Sequence, residues 1–459
     1  MPNYRKAKLL RRSRVFWGSA RIWKPRAVFW IGALAIGVVS VLFAKAADMA
    51  QHYFQLLTVG GPAWHAYLPL IITPAGFIFC AYMAIVYFPN SQGSGIPQAI
   101  AARHLRSHEA RERLLSMKVG VGKVALTIVG LFCGASIGRE GPTVQVGAAI
   151  MQYAARIGGM AQARGLILSG SAAGIAAAFN TPLAGIVFAI EEMSRSFESR
   201  ANGAVLTAVI LSGLAALGLV GHYTYFGTMN EVSVGMVEWA LVFICGIGGG
   251  ILGAAFSGGA LYLTIRIKRW SLAAPLKRAL LLAGLCGLGV AVIGVAFGGT
   301  TFGTGYDVAR GALEGQAADP FFFVGKLVAG FLSMISGIPG GIFAPSLAVG
   351  AGFGSTVGMV LGTNIGLAAL LGMAGYFAGV VQAPMTAFVI ILEMTGNHES
   401  VIAIMATAML GYITSRLLSP EPLYHGLSRA FIADSIRHTR ASQRAEQDPA
   451  EAAEAAPAK

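Results

Sequence analysis

Long apolar runs without a charged residue alternate along this chain with short polar and basic stretches. Runs of spanning length occupy Val28–Ala44, Leu68–Phe88, Ala240–Ile265, Ala279–Phe297 and Leu367–Leu392. About 20 helical residues cross the hydrocarbon core of a bilayer, so each run predicts a membrane-spanning helix. Other apolar segments are shorter and are interrupted by Gly or Pro. These predict half-helices whose ends are buried in protein or line a polar cavity.

The pattern of breaks occurs twice. Gly138–Ala148 can be aligned with Gly341–Ala351 at an offset of 203 residues, and Asn180-Thr181-Pro182 with Gln382-Ala383-Pro384 at an offset of 202. After the second pair, apolar residues lead to Glu191-Glu192-Met193 and to Glu393-Met394. Two repeats of about 200 residues are typical of secondary transporters whose site lies between the halves. Gly/Pro-broken helices at corresponding positions favour inverted over parallel repeats. We therefore expect an all-α polytopic membrane protein with two inverted repeats of tilted and broken helices.

Composition divides the chain into four parts. Residues 1–27 form a basic segment that carries no acid, residues 28–203 the first membrane repeat, and residues 204–433 the second repeat with a last helix that faces the cytoplasm. Residues 434–459 are rich in Ala, Glu, Gln, Arg and Pro. Such a composition predicts a disordered cytoplasmic tail.

The overall composition excludes an ordinary soluble protein, because 55% of the residues are hydrophobic and only 12% are charged. A net charge of +14 raises the possibility of nucleic-acid binding, but no recognition module accompanies it. The basic residues instead cluster at the ends of predicted spans. By the positive-inside rule both termini are then cytoplasmic, and the acidic loop Thr300–Pro320 is external.

No metal or cofactor site is predicted. The four cysteines stand singly in apolar segments and are expected to be packing residues: Cys80, Cys133, Cys245 and Cys286. Among the eight histidines, His104 and His108 alone share helical spacing. No carboxylate or Cys completes a ligand set there, so we interpret both as solvated loop residues.

Four Gly- or Pro-rich breaks directly precede a predicted helix: Gly93–Pro97, Gly138–Pro142, Gly340–Pro345 and Pro422–Tyr424. Pro in the first turn costs no intrahelical hydrogen bond, so each break is a candidate helix N-terminus. Unpaired N–H donors and about half a positive charge make such termini anion sites. Several of them converging at mid-membrane could hold an anion without a full cation, which suits an ion that must also leave.

A family resemblance rests on these breaks. Gly-Ser-Gly-Ile-Pro, Gly-Arg-Glu-Gly-Pro and Gly-Ile-Phe-Ala-Pro, in this order and with a downstream Tyr424, resemble the signature segments of the CLC chloride channels and chloride/proton antiporters, over roughly Val28–Ala430. The resemblance implies a homodimer in a bacterial inner membrane, with one pore per subunit, chloride and protons as transported ions, and no regulatory domain. Nitrate- and fluoride-selective branches depart at Ser94 or Tyr424, so retention of both residues favours chloride.

The resemblance also assigns the anion site. The Ser94 hydroxyl, the Tyr424 phenol, the backbone amides of Ile342 and Phe343, and those that follow Glu140 would bind the central chloride. A hydroxyl adds a dipole without a charge that would trap the ion. Taken alone, Ser94 could equally be a helix cap and Tyr424 an interfacial aromatic residue.

Two acids would carry the protons. An acid inside an apolar span is a functional candidate by default, and Glu140 resembles the external gate and proton acceptor. The alternative for Glu140 is a structural ion pair with Arg139. Glu192, near the cytoplasmic end of its helix, resembles the internal proton-transfer glutamate, which the family's channels typically lack. The alternative for Glu191 and Glu192 is a pair of structural acids at a helix end.

These assignments favour an antiporter, with a passive voltage- or pH-gated chloride channel of the same fold as the alternative. Gln98 departs from many similar exchangers, which carry an acid after the proline, and so leaves the surroundings of Glu192 open. Lys123 could raise the local positive potential or cap a helix end. An intramembrane hydrolase is disfavoured, because no second catalytic motif accompanies the buried acids. The chain is therefore predicted not to be an enzyme.

Overall fold

The computed structural model is a series of α-helices joined by short connections. It describes residues 20–59, 62–160, 163–194, 202–221, 224–227 and 238–447. Most of the basic segment 1–27 and the end of the predicted tail thus lie outside the described residues. Within the described ranges, eight helices are long and apolar enough to cross a membrane.

The first half contains nine helices in its described part. They are α1 (Ala20–Val59), α2 (Pro69–Val86), α3 (Ile96–His104), α4 (His108–Leu115), α5 (Met117–Phe132), α6 (Glu140–Gly158), α7 (Ala163–Phe179), α8 (Pro182–Phe188) and α9 (Asn202–Val220). A 3-10 turn, Ala63–Tyr67, precedes α2, and α8 continues into a π-helical turn, Ala189–Ser194.

The second half likewise contains nine helices where it is described. They are α10 (Glu238–Ser271), α11 (Pro275–Ala296), α12 (Tyr306–Leu313), α13 (Phe322–Ile335), α14 (Phe343–Leu361), α15 (Ile365–Val381), α16 (Pro384–Thr395), α17 (Val401–Leu418) and α18 (Leu423–Gln447). The predicted external loop Thr300–Pro320 contains α12. The last helix continues past Asp434, where the composition predicts disorder, as far as Gln447.

One predicted span is wrong. Leu367–Leu392 is not a single helix but nearly all of α15 and most of α16, with a break at Gln382–Ala383. Gln382 is in the left-handed region with φ 58°, which ends α15, and Pro384 then starts α16. Hydropathy counts apolar residues and does not register such a break, because the residues on both sides of it are apolar.

The backbone at this break has a copy in the first repeat. Asn180 has φ 57° where Gln382 has φ 58°. The next residues are Thr181, with φ −126° and ψ 83°, and Ala383, with φ −130° and ψ 83°. The two repeats therefore share backbone geometry to within a few degrees at residues of different type, which confirms the internal symmetry predicted from the motifs.

Acids from each repeat cap a helix of the other. The Glu191 carboxylate accepts hydrogen bonds from the backbone N–H groups of Met385 (3.1 Å) and Thr386 (2.6 Å) at the start of α16. The Glu393 carboxylate accepts from Leu183 (3.1 Å) and Ala184 (2.7 Å) at the start of α8. A carboxylate at a helix N-terminus satisfies open donors and complements the helix dipole. Because the two caps are reciprocal, they relate the repeats by a two-fold axis.

Two buried lysines are a second symmetric pair. Lys123 on α5 donates to the carbonyl oxygens of Gly93 (2.7 Å) and Gln92 (3.3 Å). Lys326 on α13, 203 positions later, donates to Gly303 (2.7 Å) and Thr301 (2.9 Å). Each lysine thus holds the carbonyl groups of a loop that leads into a short helix. Lys123 therefore does not cap a helix end, which was one of the two interpretations from sequence.

Glycines allow the central helices to approach closely. A Cβ on Gly147 of α6 would lie 2.3 Å from the carbonyl oxygen of Gly170 on α7, and one on Gly372 of α15 would lie 2.3 Å from that of Gly350 on α14. Small residues at helix interfaces are the usual means of close packing in membranes. The four cysteines are buried and free in this packing, as expected.

The reciprocal caps make a prediction about stability. Replacing the charged cap in Glu393→Gln leaves one of two acceptor oxygens and removes the charge at the α8 N-terminus. We expect a loss of about 1 to 2 kcal/mol, seen as a lower midpoint of thermal unfolding in detergent. Glu314→Gln is the control, because its ion pair with Arg310 is half exposed and contributes little. Equal midpoints for Glu393→Gln and the unmodified protein would contradict the capping role.

Candidate ion-binding site

Three of the four predicted breaks are joined by backbone hydrogen bonds. Gly138 and Gly341 form an antiparallel bridge in which each N–H donates to the other's carbonyl oxygen at 2.7 Å. Gly93 donates to Ile338 (3.1 Å) and accepts from Gly340 (3.0 Å). Broken backbone at membrane depth needs such partners, since the bilayer core offers no water. The bridges therefore bring the starts of α3, α6 and α14 together.

All four breaks end at a helix N-terminus, as predicted: α3 begins at Ile96, α6 at Glu140, α14 at Phe343 and α18 at Leu423. α18 packs against α3, which brings the fourth terminus to the other three. The first N–H groups of each helix have no acceptor within the helix. Four positive dipole ends are thus collected in the interior of the molecule.

Ser94 and Tyr424 face each other in this cluster. Both hydroxyl oxygens are shielded from solvent, and apart from their approach to each other neither has a hydrogen-bond partner within the described part of the protein. Ser94 does not cap α3, because the N-cap is Gly95, with φ 99° and no side-chain bond. Tyr424 is fully buried, which excludes an interfacial position. Two buried donors without a protein acceptor fit an anion.

The start of α6 lies directly against the Ser94 hydroxyl. A Cβ on Gly141 would be 2.3 Å from the Ser94 oxygen, so glycine is required for this approach. On the other side, the Phe343 ring is fully buried with its centroid 5.9 Å from that of Tyr424 and 4.9 Å from that of Phe377. Ile342 and Phe343 are the N-cap and first residue of α14, so their N–H groups are open donors, as the sequence predicts.

The Glu140 carboxylate is fully buried at the first residue of α6. Neither carboxylate oxygen makes a well-formed hydrogen bond in the described structure, and the backbone N–H groups of Glu140 itself and of Ala344, in the first turn of α14, lie close to it. One carboxylate oxygen lies close to Gly138, only 2.3 Å from the position that a Cβ on this residue would take. The acid therefore points at two helix N-termini, which is the environment of a bound anion.

Arg139 turns away from Glu140. Its guanidinium donates to the carbonyl oxygen of Ala44 (2.8 Å) and forms an ion pair with Asp48. The structural pair of Arg139 with Glu140 that the sequence left open is therefore replaced by a pair with Asp48 on α1.

Arg139 and Asp48 line a cavity of about 590 Å³, whose wall also carries Lys45, His52 and Arg310. Sequence analysis missed Asp48, which lies 91 residues before Arg139 and in no motif.

Glu192 lies on the π-helical turn that follows α8 and is 1% exposed. Its main-chain carbonyl oxygen is 2.9 Å from the Nε2 atom of His425, next to Tyr424. Arg103, in the last turn of α3, binds the carbonyl oxygen of the neighbouring Met193. Tyr424 thus lies near Glu192 as well as near Glu140 at the start of α6.

The two adjacent glutamates have different surroundings. Glu191 caps α16, whereas Glu192 points into the protein toward His425. The distance from Glu192 Oε1 to His425 Nε2 is 3.9 Å. The structural alternative therefore applies to Glu191, whose repeat equivalent is Glu393. Gln98 donates to the carbonyl oxygens of Gln92 (2.6 Å) and Asn90 (3.3 Å), so its amide serves the loop before Ser94.

The loop before Ser94 also has a counterpart that the sequence analysis did not find. Gly303-Thr304-Gly305 precedes α12 as Gly93-Ser94-Gly95 precedes α3, and Lys326 holds it as Lys123 holds the first loop. Here, however, the Thr304 hydroxyl (3.1 Å) and N–H (3.0 Å) both donate to the side-chain oxygen of Gln51 on α1. The second loop is thus satisfied from within the protein.

Comparison with known proteins agrees with this arrangement. The profile of the family described as "Voltage gated chloride channel" matches residues 75–416. The H(+)/Cl(-) exchange transporter ClcA of Salmonella agona is 30% identical over 449 residues, covering 92% of this chain and 91% of that protein. The ClcA exchange transporter of Citrobacter koseri is 31% identical over 439 residues, covering 90% of each.

Solved structures share the fold. A slow cyanobacterial Cl-/H+ antiporter superposes with a TM-score of 0.77 at 24% identity, over 89% of this chain and 98% of that one. A CLC-type fluoride/proton antiporter gives a TM-score of 0.72 at 23% identity, over 89% and 99%. At these identities the likeness shows the architecture alone, and it confirms the CLC-type fold of two inverted repeats predicted from sequence.

The geometry of Ser94 and Tyr424 predicts their effect on anion affinity. Removing both hydroxyl groups in the Ser94→Ala, Tyr424→Phe double variant deletes two buried donors and leaves the helix termini in place. We expect binding of chloride, used as the probe anion in calorimetry, to weaken by about 1 to 3 kcal/mol. Ser169→Ala on α7 is the control, since that hydroxyl donates to the Gly165 carbonyl oxygen within its own helix. Unchanged affinity in the double variant would mean that the helix termini alone make the site.

Proposed function

Since the chain belongs to the CLC family of voltage-gated chloride channels and transporters, we propose that it is a secondary active transporter that exchanges chloride for protons. The observation that carries the proposal is that two buried acids lie near the buried Tyr424. They are Glu140 at the start of α6, and Glu192, whose main-chain oxygen is 2.9 Å from the ring of the adjacent His425. A passive pore needs an anion site and a gate. A second buried acid next to the anion site adds a route for protons.

Chloride binds between Ser94 and Tyr424. The two hydroxyl groups donate to the ion from α3 and α18, and the amides of Ile342 and Phe343 donate from α14. All these donors are neutral dipoles, so the ion is held without a full positive charge and can leave again. Both hydroxyl oxygens are buried and have no other protein group as a hydrogen-bond partner in the described structure, which supports this role.

Glu140 is the external gate and the outer proton acceptor. Its carboxylate occupies the N-termini of α6 and α14 and therefore competes with an anion for the same donors. Two negative charges about 4 Å apart repel by about 4 kcal/mol at an effective dielectric constant of 20. This corresponds to a factor of about 1000 against simultaneous binding at adjacent positions. Protonation removes the repulsion, so the entry of an outer proton and the binding of chloride are coupled.

Glu192 is the internal proton-transfer residue. It is buried beside Tyr424, and its neighbour Glu191 is committed to the α16 cap. A proton that reaches Glu192 from the inside can then pass to Glu140 along the anion site, while chloride moves past Tyr424 and Ser94. The passive channel of the same fold remains the second candidate function, and the role of Glu192 distinguishes the two.

We also propose a homodimer in a bacterial inner membrane with both termini cytoplasmic. The relatives reported above are bacterial exchange transporters. Large apolar side chains are exposed on α9 and α17, such as Leu214 (55%) and Ile402 (72%), which suits contact with lipid or with a second subunit. Basic residues are concentrated before the first span and in the segment around α4, as the positive-inside rule requires.

The gate is tested by Glu140→Gln. The amide mimics the protonated acid and cannot compete as a negative charge, so we expect chloride flux to persist while chloride no longer drives protons. The protein is reconstituted into liposomes with a chloride gradient, and proton uptake is followed with a pH-sensitive dye. Continued chloride-driven proton uptake in this variant would rule out the gating role. Glu314→Gln, in an exposed external ion pair, is the charge-matched control.

Antiport itself is tested by Glu192→Gln. The change removes the inner proton acceptor and leaves every proposed chloride donor and the outer gate intact. We expect chloride to cross, at a lower rate, while uphill proton movement disappears. If the unmodified protein moves no protons, it is a channel. Proton pumping that survives in Glu192→Gln would place the transfer elsewhere, and Glu191→Gln is then the comparison variant.

A further inference from the structure

The proposed inner proton acceptor has almost no contact with solvent. Glu192 is 1% exposed, so a proton from the cytoplasm needs an intermediate group to reach it. Two polar neighbours are committed elsewhere, because Glu191 caps α16 and Arg103 binds the Met193 carbonyl oxygen. The Gln98 amide donates to the Gln92 carbonyl oxygen and so serves the loop before Ser94.

His425 joins Glu192 to the surface. It lies in the first turn of α18, directly after Tyr424, and its side chain is 18% exposed. Its Nε2 atom lies 2.9 Å from the main-chain oxygen of Glu192 and 3.9 Å from the carboxylate oxygen Oε1. Since a carbonyl oxygen only accepts, Nε2 carries a hydrogen in this contact. The same N–H is thus about 1 Å too far from Oε1 for a hydrogen bond.

We propose that His425 is the relay that passes cytoplasmic protons to Glu192. The inference rests on the proposed antiport function and names the residue that feeds its inner acceptor. His is the side chain that changes charge between about pH 5 and 8 without a special environment, so it can both take and release a proton near neutrality. It also has two ring nitrogens, so it can accept a proton on one side and deliver one on the other.

The transfer balances in three steps. Nδ1 takes a proton from a cytoplasmic hydronium ion, which leaves water and a ring protonated on both nitrogens. A shift of about 1 Å moves the Nε2–H from the Glu192 carbonyl oxygen to Oε1, and the proton passes to the carboxylate. The ring is then neutral with its hydrogen on Nδ1. Rotation of the ring toward the cytoplasm then lets Nε2 take a proton from a second hydronium ion before Nδ1 releases its own proton to water, and return of the ring restores the starting tautomer.

Other charged groups near His425 are paired among themselves. On its own helix and the preceding turn, Arg429 forms a 2.7 Å ion pair with Glu421. On α10, Lys268 pairs with Asp434, further along α18 (2.6 Å). On α3, Arg103 binds the Met193 carbonyl oxygen, and on the π-helical turn Glu191 caps α16. Glu192 is therefore the acid whose carboxylate lies nearest to the His425 ring in the described structure.

Two other roles for His425 give different results. A structural role would require only the N–H that donates to the Glu192 carbonyl oxygen. An electrostatic role would attract chloride toward Tyr424 and would not involve Glu192. His425→Gln separates the first from a relay, because the Gln amide can donate the same hydrogen bond but does not titrate. His425→Ala removes both properties.

The experiment compares the unmodified protein, His425→Gln, His425→Ala and His425→Gln combined with Glu140→Gln, each reconstituted into liposomes. Chloride-driven proton uptake is recorded at symmetric pH values between 5 and 8. We expect both single variants to lose about tenfold or more in proton uptake, as for removal of a positioned proton-transfer group. Their remaining rate should vary less with pH than that of the unmodified protein. His108→Gln, an exposed histidine at the start of α4, should retain both the rate and the profile.

The Glu140→Gln background provides the discriminating control. Chloride crosses that variant without protons, so adding His425→Gln should leave its chloride flux unchanged, which also shows that the double variant is folded. A fall in this flux would overturn the relay in favour of an anion-attracting or structural role. An unchanged proton rate and pH profile in His425→Gln would overturn it as well. Absence of proton uptake by the unmodified protein would reject the antiport function itself and is a separate outcome.

Discussion

The pair of 2.7 Å hydrogen bonds between Gly138 and Gly341 holds the central part of this molecule together. A membrane offers no water to a helix that ends halfway across it, so open backbone groups must find partners in the protein. Here each broken segment supplies the partner for the other. Once they are joined, the first turns of α6 and α14 necessarily meet, and their remaining N–H groups point into a common space. The candidate anion site is thus a consequence of how the breaks are made stable.

The two repeats also satisfy each other's open backbone groups, or equivalent groups of their own, at other symmetric contacts. Glu191 and Glu393 cap each other's helices, and Lys123 and Lys326 each hold the loop before a short helix. Each of these charged groups is buried or half-buried and satisfied by backbone atoms, so none of them is free to bind a transported ion. Glu140 and Glu192 differ from them because neither takes part in a reciprocal pair of contacts: Phe343 aligns with Glu140 in the second repeat, and Glu192 lies against His425. The two acids proposed to carry protons are therefore those without such a symmetric role.

Much of this could be predicted from sequence, because the breaks carry their own signals. Gly and Pro mark helix N-termini by backbone chemistry, so all four termini were predictable. The span over Leu367–Leu392 was not divided correctly, because Gln382 gives no local signal for a left-handed φ. The partners Asp48 of Arg139 and His425 of Glu192 lie 91 and 233 residues away. Such contacts depend on tertiary packing, and single residues outside a motif do not reveal them.

The Gln51 side chain makes the two inverted repeats different from each other at one loop. Two identical inverted halves would present the same series of dipoles to an ion arriving from either face, and the molecule would respond equally to both sides. The loop at Thr304 copies the loop at Ser94, yet its donors are taken by an amide oxygen of the protein. Of the two equivalent loops, the one at Thr304 therefore has its donors bound by the side-chain amide of Gln51. The Gln51 amide thus makes the two repeats unequal at this loop, because it takes the Thr304 donors while the Ser94 hydroxyl has no such partner from α1.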